Sequence, residues 1–239
     1  MLRAMGQIHL VRHGQASFDA DDYDCLSPLG ERQSRLLGDW FGRCARQVDR
    51  MHRGSLRRHR QTADGLLEAL PPALRPRDEA RVDSGFDEYD HQAVLLAQRP
   101  DFADPAAMRA WLAGQPHPRR AFQALFAQAM ARWVGGRHDA EYAESWIAFR
   151  ARCLAALRRA VEDAGSSRTL VIVTSGGPIS AVCQSLLGVT DSAACDICFG
   201  LANSGVTSLF YSGERLSLAQ LNNTAHLDAL ADAQLISYR

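Results

Sequence analysis

The feature that most constrains the fold is a six-residue apolar run, Thr169–Thr174 (TLVIVT), which leads into Ser175-Gly176-Gly177. A short continuous run rich in β-branched residues predicts a strand that is buried on both faces of a parallel sheet. The preceding segment, Trp146–Ala164, repeats apolar residues at helical spacing and is followed by Gly165, a typical helix stop. A helix joined to a buried strand in this way is typical of an α/β protein.

Strand and helix patterns alternate along most of the remaining sequence. Residues 7–12 predict a strand that ends at His13-Gly14, and Ser27-Pro28 supply the N-cap and the first residue of a helix. The same patterns predict a helix over residues 58–70, a short strand near residues 80–82, a helix that starts at Pro178, and a hairpin of residues 206–211 and 216–221. We therefore expect a three-layer α/β/α sandwich with a mostly parallel central sheet.

Residues 91–144 differ from the rest, because prolines divide them into short helical segments. Asp104-Pro105 is a good N-cap and first-residue pair, and residues 119–134 carry large apolar side chains at helical spacing. A chain of 239 residues is long enough for one or two domains. We expect a single domain over residues 1–239, with a helical insertion at about residues 91–144.

Charge and hydropathy exclude several classes of protein. The 27 basic and 27 acidic residues cancel, and a nucleic-acid binder usually has a basic surplus. All the basic residues are arginine, so lysine Schiff-base chemistry is excluded. The sequence contains no apolar run of the roughly 18 residues that span a bilayer, and its start does not resemble a signal peptide. We expect a cytoplasmic protein with no nucleic-acid or membrane partner.

The cysteines are scattered and are expected to be reduced and mostly buried. Cys195 and Cys198 have the spacing of a redox or metal site, but a second Cys or His pair does not follow closely. We therefore interpret this pair as structural and predict no metal site.

Two places combine a strand end with glycine, and they are the candidate functional positions. Arg12 and His13 leave the carboxyl end of the first strand, which is the usual site face of an open α/β sheet. Ser175 and Gly176 lie where the buried strand gives way to a helix. Helix starts bind anions through unpaired backbone amides and the helix dipole.

Six motifs occur along the chain in an order that resembles the histidine phosphatase superfamily, whose members include the cofactor-dependent phosphoglycerate mutases. They are L-V-R-H-G-Q at residues 10–15; D-C-L-S-P-L-G at residues 24–30, similar to D-x-L-T-x-x-G; L-R-R-H-R-Q-T-A at residues 56–63, similar to L-x-R-A-x-Q-T-A; F-D-E at residues 86–88; a strand and S-G-G at residues 169–177, similar to a strand and H-G-G; and N-N-T-A-H-L at residues 222–227, similar to N-x-T-x-H-L. The resemblance spans almost the whole chain except for the insertion.

The resemblance implies a role for each matched residue. His13 would be the phosphate acceptor, Arg12 and Arg58 would bind phosphate oxygens, and Ser175 and Gly176 would complete the phosphate site. The same comparison implies that Glu88 is the general acid, with Asp87 as its obvious competitor. No metal or other cofactor is implied.

Ser175 is a departure from the pattern, because the family has its second histidine there. In the family that histidine contacts the phosphate and stabilises its charge. Serine still donates one hydrogen bond but carries no positive charge, and losing such a donor commonly costs about 10²–10³ in rate. Either the enzyme is slow or another group compensates. His91 is a candidate, although a structural or substrate-facing role is favoured for it. His117, His138 and His226 are expected to be structural or exposed.

Three functions follow from these residues. The first is a metal-independent phosphomonoesterase that acts through a phosphohistidine on His13 and takes a small phosphorylated substrate. The second is a phosphoglycerate-mutase-type phosphotransferase, against which the loss of the second histidine weighs. The third is a non-catalytic phospho-ligand binder, which would not need Glu88. Specificity is expected in the insertion, which contains several arginines that could meet an anion: Arg99, Arg109, Arg119, Arg120, Arg132 and Arg137. The oligomeric state is left open.

Overall fold

The computed structural model describes residues 5–17, 24–166 and 168–238. Within these residues six strands form one sheet in the order β3-β2-β4-β1-β5-β6. The strands are β1 (Gly6–Arg12), β2 (Arg50–Arg53), β3 (Arg81–Val82), β4 (Thr169–Thr174), β5 (Val206–Ser212) and β6 (Arg215–Asn223). Residues 1–4, on which the signal-peptide prediction partly depends, lie outside the described residues.

The sheet is mixed, with four parallel strands and an antiparallel edge. β3, β2, β4 and β1 run parallel, whereas β5 pairs antiparallel with β1 and β6 antiparallel with β5. The predicted hairpin is therefore the edge of the sheet, and the mostly parallel centre is confirmed. In the central pair, Arg12 of β1 lies opposite Thr174 of β4, so both strands end at the same level.

Helices connect and cover these strands. They are α1 (Pro28–Arg43), α2 (Arg57–Ala69), α3 (His91–Gln98), α4 (Pro105–Ala113), α5 (Pro118–Val134), α6 (Trp146–Ala164), α7 (Gly176–Leu187), α8 (Asp191–Gly200) and α9 (Ala225–Asp228). Short 3₁₀ turns occur at Pro72–Leu74, Ser84–Phe86, Pro100–Ala103, Asp139–Glu141 and Ala233–Leu235. No helix in the described part of the chain has the length and apolarity to span a membrane.

Apolar side chains alternate along β4, and this alternation builds the three layers. Leu170 and Ile172 are buried among residues of α6 and α7 on one face of the sheet. Val171 and Val173 are buried among residues of α1 and α2 on the other face. The α/β/α sandwich is confirmed, and β4 lies between the two covered faces as its continuous apolar run predicts.

The N-caps predicted for α1 and α4, Ser27 and Asp104, are both found, whereas the predicted start of α7 is not. The Ser27 hydroxyl accepts a hydrogen bond from the Gly30 amide at 3.1 Å, which is the predicted N-cap of α1. The prediction that the helix after β4 starts at Pro178 is wrong, because this helix, α7, begins at Gly176. Proline is tolerated there because the amides of a first helical turn have no partner within the helix.

The insertion is helical, and it shares a core with the main body of the fold. Met130 and Trp133 of α5 are buried in one cluster with Trp146 and Phe149 of α6 and Ala181 of α7. A smaller cluster around Leu95, Phe102 and Leu125 holds α3 and α5 together. This shared core supports the single-domain assignment, which stays a prediction.

Candidate active site

The two strand-end positions form one site. β1 and β4 are neighbours, and the His13 amide donates a hydrogen bond to the Thr174 carbonyl at 2.8 Å. His13 and Ser175 therefore leave the sheet side by side, at the carboxyl ends of two parallel strands. This is where open α/β sheets hold their ligands.

The His13 ring is held in one orientation and one tautomer. Its Nδ1 lies 2.7 Å from the Gly14 carbonyl oxygen. Because a carbonyl only accepts, Nδ1 carries the hydrogen and Nε2 keeps its lone pair. Burial, followed by the guanidinium groups of Arg58 and Arg12, lowers the pKa of His13 well below its usual value. The ring is thus neutral at physiological pH, with a lone pair on Nε2.

The loop that carries His13 is fixed by the first turns of α1 and α2. The Gly14 amide donates to the Thr62 hydroxyl at 3.0 Å, and that hydroxyl donates to the Arg58 carbonyl at 2.8 Å. A side chain on Gly14 would collide with the backbone of Gly30. The glycines of two separate motifs are therefore explained by one close backbone approach.

Gln33 is a supporting residue that the sequence analysis missed. It is fully buried, and its Oε1 accepts from the Gln15 amide at 2.9 Å. Its Nε2 donates to the Leu235 carbonyl at 2.8 Å, which ties the His13 loop to the end of the chain. A polar residue one turn before Leu37, on the apolar face of α1, is the signal that could have identified it.

The two arginines approach His13 from different elements. Arg58 lies in the first turn of α2, nearly buried, and its Nη1 donates to the Asp24 carboxylate at 2.8 Å. Arg12 donates from Nη1 to the carbonyls of Leu201 and Tyr238, the second at 3.0 Å. A side-chain carbon on Gly176 would lie 3.8 Å from Arg12 Nε, so Arg12 is next to the start of α7. Backbone carbonyls and a carboxylate therefore hold both cations near the His13 ring.

Glu88 and Asp87 are turned in different directions. Glu88 Oε2 accepts from the Gly177 amide at 3.2 Å, in the first turn of α7. Burial raises the pKa of Glu88, although the Gly177 hydrogen bond and the two site arginines oppose the change. Asp87 accepts from the Ser55 amide at 2.6 Å on the other side of the loop. Of the two predicted acids, only Glu88 lies at the helix start beside Ser175.

Ser175 is fully buried and precedes α7, but its hydroxyl bonds to His59 instead of to the helix amides. His59 Nε2 lies 2.7 Å from Ser175 Oγ, and the His59 ring centroid is 5.7 Å from that of His13. His59 is not among the site residues predicted from the sequence. The sequence feature that could have identified it is its place in the motif at residues 56–63, where the resembled motif L-x-R-A-x-Q-T-A has alanine.

The other histidines that were considered have separate positions. His91 is the first residue of α3, where partial desolvation and then Arg58 lower its pKa against the opposing effect of Asp90. His226 is buried and bonds to the Ser204 hydroxyl at 2.7 Å, and the Ser204 amide donates to the His13 carbonyl. His226 therefore contacts the His13 loop only indirectly, through Ser204. His117 and His138 are exposed on the insertion, as expected.

The arginines of the insertion divide into two groups. Arg99 pairs with Asp101 and lies 3.9 Å from the centroid of the Phe102 ring. Arg132 pairs with Glu141. The other four are exposed, namely Arg109, Arg119, Arg120 and Arg137.

The cysteines are in the described residues, and none of the six forms a disulfide. Cys195 and Cys198 both lie on α8, and burial raises the pKa of the Cys195 thiol to about 11. Residues 5–17, 24–166 and 168–238 contain no group of three or more His, Cys, Asp or Glu side chains that could hold a metal ion.

Comparison with known proteins gives a consistent family. A curated protein from Hydrogenobacter thermophilus, named "Putative phosphoserine phosphatase 2", is 26% identical over 234 residues, which are 93% of this chain and 98% of that protein. The structure of phosphoserine phosphatase from Entamoeba histolytica in complex with 3-phosphoglyceric acid superposes with a TM-score of 0.64, at 18% identity over 93% of this chain and 99% of that one. Phosphoglycerate mutase from Bacillus anthracis superposes with a TM-score of 0.63, at 15% identity over 96% and 98% of the two chains.

These two structural likenesses show the fold. The family itself follows from the sequence, since the profile of the histidine phosphatase superfamily (branch 1) matches residues 8–134 and 111–224. Together these segments contain every motif described above except the last residues of the C-terminal one. The chain therefore belongs to the histidine phosphatase superfamily.

Proposed function

We propose that the chain is a metal-independent phosphomonoesterase that forms a phosphohistidine on His13. The observation that carries this proposal is the His13 ring, which is neutral, held at Nδ1 by the Gly14 carbonyl, and close enough to Arg12 and Arg58 for both to lower its pKa. A neutral nitrogen beside two cations is suited to attack a phosphate ester, because the cations neutralise the oxygens of the phosphoryl group.

In the first step His13 Nε2 attacks phosphorus, and the bond from phosphorus to the ester oxygen breaks. Glu88, whose pKa is raised by burial, donates its proton to the departing oxygen. The phosphorylated ring is cationic, and the Nδ1 hydrogen bond to Gly14 stabilises that charge. Arg12 and Arg58 hold the transferred phosphoryl group.

In the second step water attacks phosphorus and the bond from nitrogen to phosphorus breaks. The Glu88 carboxylate accepts the proton from the water, so the residue returns to its acid form. His13 returns to the neutral tautomer with hydrogen on Nδ1. Inorganic phosphate leaves, and the cycle balances without a further reactant.

The substrate is proposed to be a small phosphate monoester. The curated relative is named for phosphoserine, and the Entamoeba structure holds 3-phosphoglyceric acid, so both point to a small acid that bears a phosphate. The exposed arginines of the insertion would suit the carboxylate of such a substrate. A cytoplasmic location belongs to the same proposal, because six cysteines without a disulfide are typical of a reducing compartment.

The test is hydrolysis of p-nitrophenyl phosphate and phosphoserine, with EDTA present, by the wild type and by His13→Ala. We expect the variant to lose at least about 10³-fold in kcat, since it removes the nucleophile. The wild type is also expected to yield a phosphoenzyme that is stable to alkali and labile to acid, as a phosphoramidate is. Full activity in His13→Ala would reject the proposal. Isomerisation of phosphoglycerate that depends on 2,3-bisphosphoglycerate would favour the mutase alternative, and phosphate binding without turnover would favour the binder.

A further inference from the structure

Behind Ser175 lies a chain of polar groups that the proposed mechanism does not use. His59 is fully buried in the first turn of α2, and its Nε2 is 2.7 Å from Ser175 Oγ. On the other side of the ring, Nδ1 is 3.7 Å from Asp87 Oδ1. Asp87 is itself held by the amide and hydroxyl of Ser55. A hydroxyl, an imidazole and a carboxylate thus lie in a row that ends at the start of α7.

The surrounding backbone leaves room for this ring. A side-chain carbon on Gly54 would collide with His59 Nδ1 and lie 2.5 Å from Asp87 Oδ1. Gly54 itself is the first residue after β2, where its amide donates to the Val173 carbonyl at 3.1 Å. The chain therefore keeps a glycine at the one position where a side chain would fill the space between the imidazole and the carboxylate.

The row formed by Ser175, His59 and Asp87 lies close to His13, which indicates a role in the same site. The His13 and His59 rings are 5.7 Å apart between centroids, and the Ser175 hydroxyl bonds to the His59 nitrogen at the beginning of α7. His59 also stands where the motif at residues 56–63 resembles one with alanine, and Ser175 stands where the S-G-G motif resembles one with histidine. Across this one contact, the ring and the small side chain therefore stand in the opposite order to that of the motifs they resemble.

We propose that His59 is a positioning residue that supplies the second imidazole of the phosphate site, acting through the Ser175 hydroxyl, with the Asp87 carboxylate as the opposite charge 3.7 Å from Nδ1. This inference rests on the proposed function, because it assigns the phosphate to the pocket beside His13. It identifies the group that compensates for the missing histidine as His59 and not His91.

The hydrogen positions follow from the partners. When Ser175 donates to His59 Nε2, the hydrogen of the neutral ring is on Nδ1, the side that faces the Asp87 carboxylate. A phosphate ester monoanion brings one proton. That proton passes to Ser175 Oγ as the serine proton passes to Nε2. The O–H bond of the phosphate breaks, the serine exchanges one hydrogen for another, and one N–H bond forms. The ester is then a dianion that accepts from the Ser175 hydroxyl. Burial, followed by Arg58 and Arg53, lowers the pKa of His59 well below its usual value, so the negative charges of the bound ester and of Asp87 are needed to keep the proton on the ring.

A serine activated for attack would use a similar row with a hydrogen bond at each step, but one distance favours the positioning role. The 3.7 Å separation of His59 Nδ1 and Asp87 Oδ1 is longer than a hydrogen bond. A phosphoserine at position 175 is therefore an outcome that would contradict the inference.

The experiment compares kcat and KM for phosphoserine in His59→Ala, Ser175→Ala, the double variant His59→Ala/Ser175→Ala, and the exchange variant His59→Ala/Ser175→His. We expect each single variant to lose about 10- to 10²-fold in kcat, and the double variant to lose no more than the worse single one, because the two residues act as a unit. The exchange variant returns an imidazole to the same space, so we expect it to recover at least about 10-fold.

His59→Gln adds a test of the charge, because glutamine donates a hydrogen bond but cannot become a cation. We expect it to stay below the exchange variant in kcat. The matched control is His9→Ala, which removes another buried histidine that bonds to a serine, Ser208, at 2.9 Å. His9 is four residues before His13 along β1, about 13 Å away, and its loss should leave kcat unchanged.

The inference would be overturned if the kcat losses of the two single variants multiply in the double variant. It would also be overturned if the exchange variant folds but has a kcat no higher than that of His59→Ala. An acid-stable phosphoenzyme lost in Ser175→Ala would also overturn it. If the wild type proves inactive, the proposed function fails separately. The same variants are then titrated with inorganic phosphate by calorimetry, where weaker binding in both single variants and recovery in the exchange variant are expected, and unchanged binding would reject the role of His59.

Discussion

The proposed acid can be separated from the rest of the site by Glu88→Gln. The Glu88 carboxylate accepts from the Gly177 amide at 3.2 Å, and a glutamine amide oxygen can accept the same hydrogen bond. The position of the side chain at the start of α7 is therefore kept, whereas the proton that it donates to the leaving oxygen is lost. The substitution also removes a charge that burial already disfavours, so we expect little change in folding stability.

The size of the effect depends on the leaving group. General acid catalysis contributes about 10²–10⁴ in rate, or about 3–5 kcal/mol at about 1.4 kcal/mol for each factor of ten. The full loss applies to phosphoserine, whose leaving oxygen is a poorly stabilised alkoxide. It does not apply to p-nitrophenyl phosphate, whose phenolate is stable without a proton. We therefore expect the ratio of kcat/KM for the two substrates to shift by about 10²-fold or more towards p-nitrophenyl phosphate.

The pH profile gives a second measurement of the same group. Phosphorylation needs Glu88 protonated and His13 neutral. Because burial raises the pKa of Glu88, the carboxyl keeps its proton to a higher pH than an exposed glutamate does, and kcat/KM for phosphoserine should fall as the pH rises through that pKa. Glu88→Gln should lack that fall. The second ionisation of the ester, near pH 6, is common to both enzymes and cancels in the comparison.

The control is Asp90→Asn, since asparagine can replace the carboxylate that accepts from the Ala93 amide at the start of α3. Asp90→Asn should leave kcat/KM unchanged for both phosphoserine and p-nitrophenyl phosphate. Equal losses for phosphoserine and p-nitrophenyl phosphate in Glu88→Gln would refute the reasoning, because they would indicate a general disturbance of the site. An unchanged kcat/KM for phosphoserine would show that another group is the acid.

Two further predictions concern the scaffold. Gly14→Ala should destabilise the fold by about 1–3 kcal/mol in urea unfolding, because the added carbon meets the rigid backbone of Gly30; an unchanged midpoint would show that this approach is not required. Burial, followed by Arg46, lowers the pKa of His9 to about 4 in the folded protein. Below pH 6.5 the unfolded chain therefore binds a proton at His9 that the folded protein does not bind. Stability is then lost as the pH falls, by about 2 kcal/mol between pH 6.5 and 5, and His9→Gln should remove that part of the loss unless the histidine is solvated in the native state.

The sequence predicts most of the framework because local patterns determine it. β4 and α6 have the predicted bounds, and Ser27 caps α1 as expected, since periodicity and capping depend on residues within a few positions of each other. The meeting of His13 and Ser175 is also predictable, because carboxyl ends of parallel strands share one edge. These features need no knowledge of distant contacts.

Other parts of the site depend on contacts that no local pattern contains. The choice between Glu88 and Asp87 is decided by the loop that carries them, which directs one carboxylate to Gly177 and its neighbour to Ser55. Gln33 bonds both to the His13 loop and to the Leu235 carbonyl, which is 202 positions away along the chain. Such partners are specified only when the whole chain is folded.

His59 and Ser175 show why motif comparison, taken one position at a time, misjudges this site. Read separately, position 175 has lost a histidine and position 59 has gained one for no visible reason. The two side chains touch, although 116 positions separate them. Interiors are close-packed, so a ring that leaves one wall of a cavity must be replaced by atoms from another wall. In the proposed exchange His59 brings an imidazole to the side of the Ser175 hydroxyl, and this is visible only when the two departures are considered together.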